Sequence, residues 1–359
     1  MRHRALAAVA ALAAVSVVVF WAPILVAGQA RSGAAATKTK TATKPPKLVE
    51  TWAPPPPDNR PARTPDGQPN LQGVWSFSAT YTPFERPAEF AGKPFFATEA
   101  EADEFVKKAS NDIYEGDPGV HYKFTEYGGD KWQTGVVRNM RTSIIVDPPD
   151  GRLPPLTPEA QKQGRGRNPI NPYWKGFPAY GFLGLYTRCV TGYWEGGGPM
   201  LHNGNGAEGE TEILQTPGYV VIFTASNNDT RIIPLDGRPH LSPNTTKWFG
   251  DSRGRWEGNT LVVESTNFND QVRIAGQMVK NMRMVERFTK RDADTLLYQF
   301  TVDDPTTWTK PWSGEVPWPR IEGPMYEASC TETNYGYLGV LKGEKAVEDA
   351  AAAKQGVTK

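Results

Sequence analysis

Hydrophobic and polar residues alternate most regularly between Thr211 and about Thr333. Short runs rich in β-branched and aromatic residues recur there, at Thr211–Thr216, Tyr219–Ala225, Thr230–Leu235, Thr260–Thr266, Arg283–Thr289 and Leu296–Val302. Turn residues separate them: Thr216-Pro217-Gly218, Asn227-Asn228-Asp229, Asp236-Gly237, Glu257-Gly258-Asn259 and Asp292-Ala293-Asp294. Close strand spacing with turn punctuation predicts an antiparallel meander, because each strand can pair with the next only by reversing.

The alternation also assigns faces. In Leu296–Val302, the residues Leu296, Tyr298, Phe300 and Val302 share one side and belong inside. Met284, Glu286 and Phe288 share a side, and so do Arg231, Ile233 and Leu235. If the apolar members point inward, Arg231 and Glu286 follow them. A buried ion costs several kcal/mol unless it is paired. The two are therefore either a structural ion pair or the polar floor of a ligand cavity.

Outside the meander the signals are sparser. Leu71 to Phe77 reads as a strand after a Pro-Asp-Gly turn. Thr98 to about Ser110 reads as a helix with a Thr98/Glu101 capping box. Thr142 to Val146 is a strand, and Thr157-Pro158-Glu159 opens a short helix. Gly164 to Gly209, rich in Gly, Pro, Asn and aromatics, reads as long loops around Cys189. Glu344 to Lys354 is an alanine-rich surface helix. The fold class expected is mainly β, the meander closing into a lipocalin-like barrel or a sandwich, with long loops and a few short helices.

The N-terminus sets the compartment. Arg2, His3 and Arg4 precede an uncharged run from Ala5 to Gly28, and Gly28-Gln29-Ala30 ends it with small residues. Residues 1–30 read as a signal peptide cleaved after Ala30, or as an uncleaved anchor in the inner membrane. Either way the remainder is exported to the periplasm or beyond. Residues 31–70 read as a disordered Lys/Thr/Pro-rich leader, 71–343 as one β-rich domain, and 344–359 as a terminal helix and tail. Membrane proximity is expected only through the N-terminus. With 35 Gly and 32 Pro in 359 residues, a helical bundle is excluded. A net charge of +1 gives no field that would draw nucleic acid. Cys189 and Cys330 are the only cysteines, and in an oxidising compartment they are expected to pair.

Candidate chemistry collects around the run Thr230–Leu235. Asp229, Arg231, Asp236, Arg238 and His240 put carboxylates, guanidiniums and an imidazole at its two ends. His240 with Asp236 or Glu286 would supply acid–base chemistry, and Arg231 or Arg238 would hold an anion. The same residues also suit an ordinary tight turn. Gly250-Asp251-Ser252-Arg253-Gly254 matches the nucleophile-elbow pattern, yet a β-branched strand follows where that motif needs a helix. Asp251, Trp256 and Tyr298 complete the expected ligand-contacting set. No metal site is expected, since His121, His202 and His240 lack ligand spacing, and no cofactor fingerprint is present. Trp308, Trp312 and Trp318 are either sugar-stacking rings or a plug closing one end of the fold.

Several longer stretches form a recognisable set: Arg231 through His240, Gly254 through Val263, and Thr301 through Trp312. With these the chain resembles a group of uncharacterised exported bacterial proteins, over about Pro65 to Glu344. The resemblance implies an exported context and paired cysteines, and no activity. Three functions fit the residues: binding of a small, partly apolar or anionic ligand; a lyase, isomerase or hydrolase acting on a small molecule or sugar; or a structural role in the envelope.

Overall fold

The alternating segment folds into strands almost where its pattern places them. In the structure, a computed structural model, the described residues are 62–76, 82–105, 139–163, 188–191, 198–200, 210–225, 229–279, 281–322, 325, 329–333 and 335–354. They all belong to the unit Pro46–Lys359. The expected signal segment, the leader as far as residue 61 and most of the 164–209 loops lie outside them.

Twelve strands are present among the described residues: β1 (Gly73–Ser76), β2 (Ile145–Asp147), β3 (Glu210–Thr216), β4 (Tyr219–Thr224), β5 (Thr230–Pro234), β6 (Asp251–Glu257), β7 (Thr260–Thr266), β8 (Arg273–Ile274), β9 (Gln277–Met278), β10 (Arg283–Lys290), β11 (Thr295–Asp303) and β12 (Trp312–Pro319). They form a four-stranded sheet in the order β1-β3-β4-β5 and a six-stranded sheet in the order β2-β12-β11-β10-β7-β6. A small hairpin joins β8 and β9. All pairings are antiparallel. No ladder joins β5 to β6, so the two sheets do not form one closed ladder, and a sandwich accommodates them. At the opposite edges Trp75 bridges to Arg320, and the Ile321 N–H donates to the Val74 carbonyl at 2.9 Å.

Side chains of both sheets meet in one core. Ile213, Val220, Ile222 and Ile233 come from the smaller sheet, and Leu261, Val263, Met284, Phe288, Tyr298 and Phe300 from the larger. The tryptophans of the 308–318 stretch are core residues as well: Trp308, Trp312 and Trp318 are buried. Trp318 stacks on Tyr298 with ring centroids 4.6 Å apart, and Trp312 meets Phe300 edge-on at 5.6 Å. None of the three is exposed for sugar stacking.

Four strands have no counterpart in the sequence expectation: β6, β12 and the short β8 and β9. β6 carries Ser252 and Gly254 at inward positions, so bulky alternation is missing from its pattern. β12 contains Pro317 and Pro319. Proline is tolerated there because β2 pairs with β12 only around Ser313 and Gly314, leaving the proline end as an open edge.

The C-terminal helix is longer than expected. Among the helices, α1 spans Pro158–Gln163, α2 Cys330–Thr333 and α3 Tyr335–Lys354. The capping box forms as expected: the Glu101 N–H donates to Thr98 Oγ1 at 3.1 Å, and the Ala97 N–H to Glu101 Oε2 at 2.6 Å. No helix among the described residues is long and apolar enough to cross a membrane. Cys189 and Cys330 are joined in a disulfide across 141 residues.

Candidate functional site

The inward face of β5 and that of β10 bring Arg231 and Glu286 together. Arg231 lies opposite Ile222 of β4, and Glu286 lies between Val263 of β7 and Phe300 of β11. The pair is bidentate: Arg231 Nη1 donates to Glu286 Oε1 at 2.9 Å, and Nη2 donates to Oε2. Nη2 also reaches Ser265 Oγ at 3.3 Å and Ser252 Oγ at 3.4 Å, while Tyr298 donates its hydroxyl to Glu286 Oε1 at 3.0 Å. The main-chain N–H of Met200 in turn donates to that hydroxyl at 3.0 Å. Burial and the neighbouring Glu286 push the Tyr298 phenol well above its usual range. Burial works against the charge on Arg231, yet the Glu286 carboxylate beside it raises its pKa. The Nε–H of Arg231 is buried with no partner among the described residues.

Among the described residues a cleft reaches this network between β5 and the segment before β6. β5 and β6 touch at Gly254, where a Cβ would sit 2.6 Å from Leu235 Cδ2 and 2.9 Å from Ile233 Cγ2. Toward Ser252 the two strands diverge. A cleft of about 350 Å³ opens there, lined by Thr230, Arg231, Ile232, Lys247, Trp248, Phe249, Gly250 and Ser252. Its far wall is pinned: the Lys247 N–H donates to the Asn267 carbonyl at 3.0 Å, and the Lys247 carbonyl accepts from the Asn269 N–H at 2.9 Å. Gly250 has φ +66°, and a Cβ there would meet the Thr266 carbonyl at 2.7 Å, so the wall turns tightly against β7. The cleft offers apolar surface (Ile232, Trp248, Phe249), two hydroxyls (Thr230, Ser252) and two cations (Arg231, Lys247).

His240 belongs to the other face of the large sheet. Its Nδ1 lies 3.2 Å from Asp251 Oδ2, and its Nε2 lies 3.8 Å from Glu264 Oε1. The structure therefore brings His240 to Asp251 and Glu264 rather than to Asp236 or Glu286. Asp236 is held by Arg238 within its own turn, which depresses its pKa to about 2. Glu286 points inward, away from the histidine. Burial opposes ionisation of Asp251, but the Leu241 N–H, Arg253 and Lys247 bring it down to about 2. A hydrogen bond from Arg283 keeps Glu264 low as well. Asp251 and Ser252 are adjacent in β6 and face opposite sides of it, so they cannot act on one substrate with His240 as a hydrolase triad. Ser252 sits inside a strand and makes no elbow.

The remaining expected residues scatter. Arg238 contacts Asp236 and the Tyr219 hydroxyl on the surface. Asp229 is buried before β5, where its carbonyl accepts from the Thr224 N–H at 2.9 Å. Trp256 packs against the core from β6, and Tyr298 stands behind Glu286, so neither lines the cleft. Met284, Tyr298 and Phe300 are fully buried in the core. Among the described residues no group of three or more His, Cys, Asp and Glu is placed to hold a metal ion, and His121 and His202 lie outside them.

Residues the sequence did not mark are Lys247, Trp248 and Phe249, which sit in an irregular segment without periodicity. Glu264 was discoverable, since alternation along β7 puts it on the same face as Thr260 and Val262. A second buried pair, Arg141 with Glu315 at 2.8 Å, lies on the opposite face of the large sheet, where Gln299 Nε2 also donates to Glu315 at 2.7 Å. No protein-family model matches the chain, and no curated protein matches it.

Proposed function

We propose that this chain is an exported binding protein that takes a small, partly apolar, anionic ligand in the cleft between β5 and residues 247–250. The carrying observation is the composition of that cleft. An indole, a phenyl ring and an aliphatic side chain stand beside the Lys247 ammonium, above a floor where Arg231 is already locked in place. Small-molecule sites have this mixture: mostly apolar walls with a few fixed polar groups that orient the ligand. The volume falls within the range of about 300–1,000 Å³ typical of such sites. Arg231 is paired with Glu286, and Lys247 is tied to Asp251 with its side chain half-exposed, so the cleft presents two oriented cationic groups to an anion. The disulfide supports export, and the near approach of β5 to β6 and of β1 to β12 supports the two sheets as walls of a flattened barrel. Membership of the exported group described above is part of the same proposal.

The test is a thermal-shift screen of the full chain against carboxylates, phosphates and neutral analogues, repeated on Lys247→Glu and Trp248→Ala. A ligand that binds only the folded state raises the melting temperature. Anionic amphiphiles should raise it for the native chain and do so less for both variants. Equal shifts in all three proteins would remove the cleft from the argument.

A catalytic reading is favoured by one observation, the placement of His240 between Asp251 and Glu264. Asp251 would orient the ring and leave Nε2 to exchange protons. Turnover that survives His240→Ala would eliminate it.

A further inference from the structure

The cleft has a property that a site for compact molecules does not need: one wall is an unpaired strand edge. The ladder between β4 and β5 runs from Thr224 N–H to the Asp229 carbonyl, 2.9 Å, to Leu235 N–H to the Gly218 carbonyl, 2.9 Å. This phase commits the main chain of Arg231 and Ile233 to β4, since bonded pairs alternate along an antiparallel ladder. The N–H and C=O of Ile232 therefore turn to the other edge, into the cleft, where no described group pairs with them. In the facing wall the main chain of Lys247 is committed to Asn267 and Asn269.

We infer that the ligand is an extended peptide that lies along β5 as an added strand. This rests on the cleft being the binding site. An added strand would satisfy Ile232 by main-chain hydrogen bonds, the mode by which sheet edges recognise peptides whatever their sequence. Side-chain preference follows from alternation. The peptide residue beside Arg231 turns inward, toward the Ser252 hydroxyl and the Arg231 guanidinium, whose Nε–H has no partner among the described residues, and should be acidic. Its neighbour beside Ile232 turns outward. There Ile232, 64% exposed, continues a row across the small sheet through Val221 to Leu214, 41% exposed, and an apolar side chain extends it.

The experiment uses the full chain and four labelled, capped pentapeptides read by fluorescence anisotropy: alternating valine and aspartate, alternating valine and lysine, and two forms of the aspartate peptide, each N-methylated on one of the two alternate sets of amides. Decanoate serves as a non-peptide amphiphilic carboxylate. Binding is also measured on Ile232→Pro, which deletes the outward N–H and leaves the β4 ladder intact, as proline is tolerated on an edge, and on Lys247→Glu. The aspartate peptide should bind at least tenfold tighter than the lysine peptide. One N-methylated set should lose tenfold or more, the other should not, and Ile232→Pro should lose as much. Should Ile232→Pro fail to fold, the two methylated sets carry the same information. If decanoate or the peptides bind, and Lys247→Glu weakens them, while neither methylated set matters, the peptide inference is overturned and the cleft reading stands. If no probe binds, or binding ignores Lys247→Glu, both fall.

Discussion

Arg231 and Glu286, 55 residues apart in the chain, form a bidentate ion pair at the meeting of the two sheets, with the Tyr298 hydroxyl as a third member. There the charge of the small sheet enters the large one. Its geometry leaves both Nη groups occupied, so any ligand in the cleft meets Arg231 as a neutralised, oriented surface rather than as a free cation. Lys247, tied to Asp251 but with its side chain half-exposed, is the second cation of the cleft.

Removing one member of such a pair strands the other in a dry interior. Glu286→Gln should destabilise the fold by about 3–5 kcal/mol, whereas the double change Arg231→Met with Glu286→Leu should recover much of that loss. Urea denaturation of the three proteins measures it. Equal losses in the single and double variants would mean that the pair is not coupled.

The contact between the sheets depends on a missing side chain. Gly254→Val would drive a branched side chain into Ile233 and Leu235, which already lie within 3 Å of a bare Cβ. A loss of about 1–3 kcal/mol is expected from overpacking, along with a wider cleft mouth. Calorimetry gives the first, and any change in ligand affinity gives the second.

Acid should loosen the connection between β5 and β6. Asp251 titrates near 2 in the folded protein, below its ordinary value of 3.8. A carboxyl with a depressed folded pKa contributes stability that is fully present above the unfolded value and is lost as pH falls through the folded one. The window is therefore about pH 4 to 2, and Asp251→Asn should flatten the stability profile within it. An unchanged slope, measured by chemical denaturation across that range, would argue that the anchoring of Leu241, Lys247 and Arg253 on Asp251 is energetically silent.

The disulfide closes a loop of 141 residues. In the chain-entropy picture such a cross-link contributes about 5 kcal/mol. The double variant Cys189→Ala with Cys330→Ala should unfold at markedly lower urea concentration, and reductant should do the same to the native chain while leaving the variant untouched.

Much of this was written in period two. Arg231 and Glu286 could be placed inside because Ile233, Met284 and Phe288 mark their faces with bulk. The same logic failed at β6, whose inward positions are Ser252 and Gly254. Small residues fit where the sheets converge and where Arg231 reaches across, but they leave no hydrophobic trace. β12 was hidden by its prolines, acceptable only because β2 is short. The cleft itself was illegible, because it arises where β5 and β6 part company. No local pattern records a gap between two strands. His240 had the right chemistry in the sequence and the wrong partners, since the face on which a turn residue lands is decided by how the turn packs.

The paired carboxylates on opposite sides of the large sheet have one more consequence. Glu286 takes a hydrogen bond from Tyr298, and Glu315 takes one from Gln299, adjacent residues of β11 that point opposite ways. Sliding β11 by a single position would swap their directions and starve both acids together, each orphaned contact costing about 1–3 kcal/mol. The central strand thus carries a two-sided checksum on its own alignment, one that adds to the penalty that hydrophobic burial already sets against a one-residue slip.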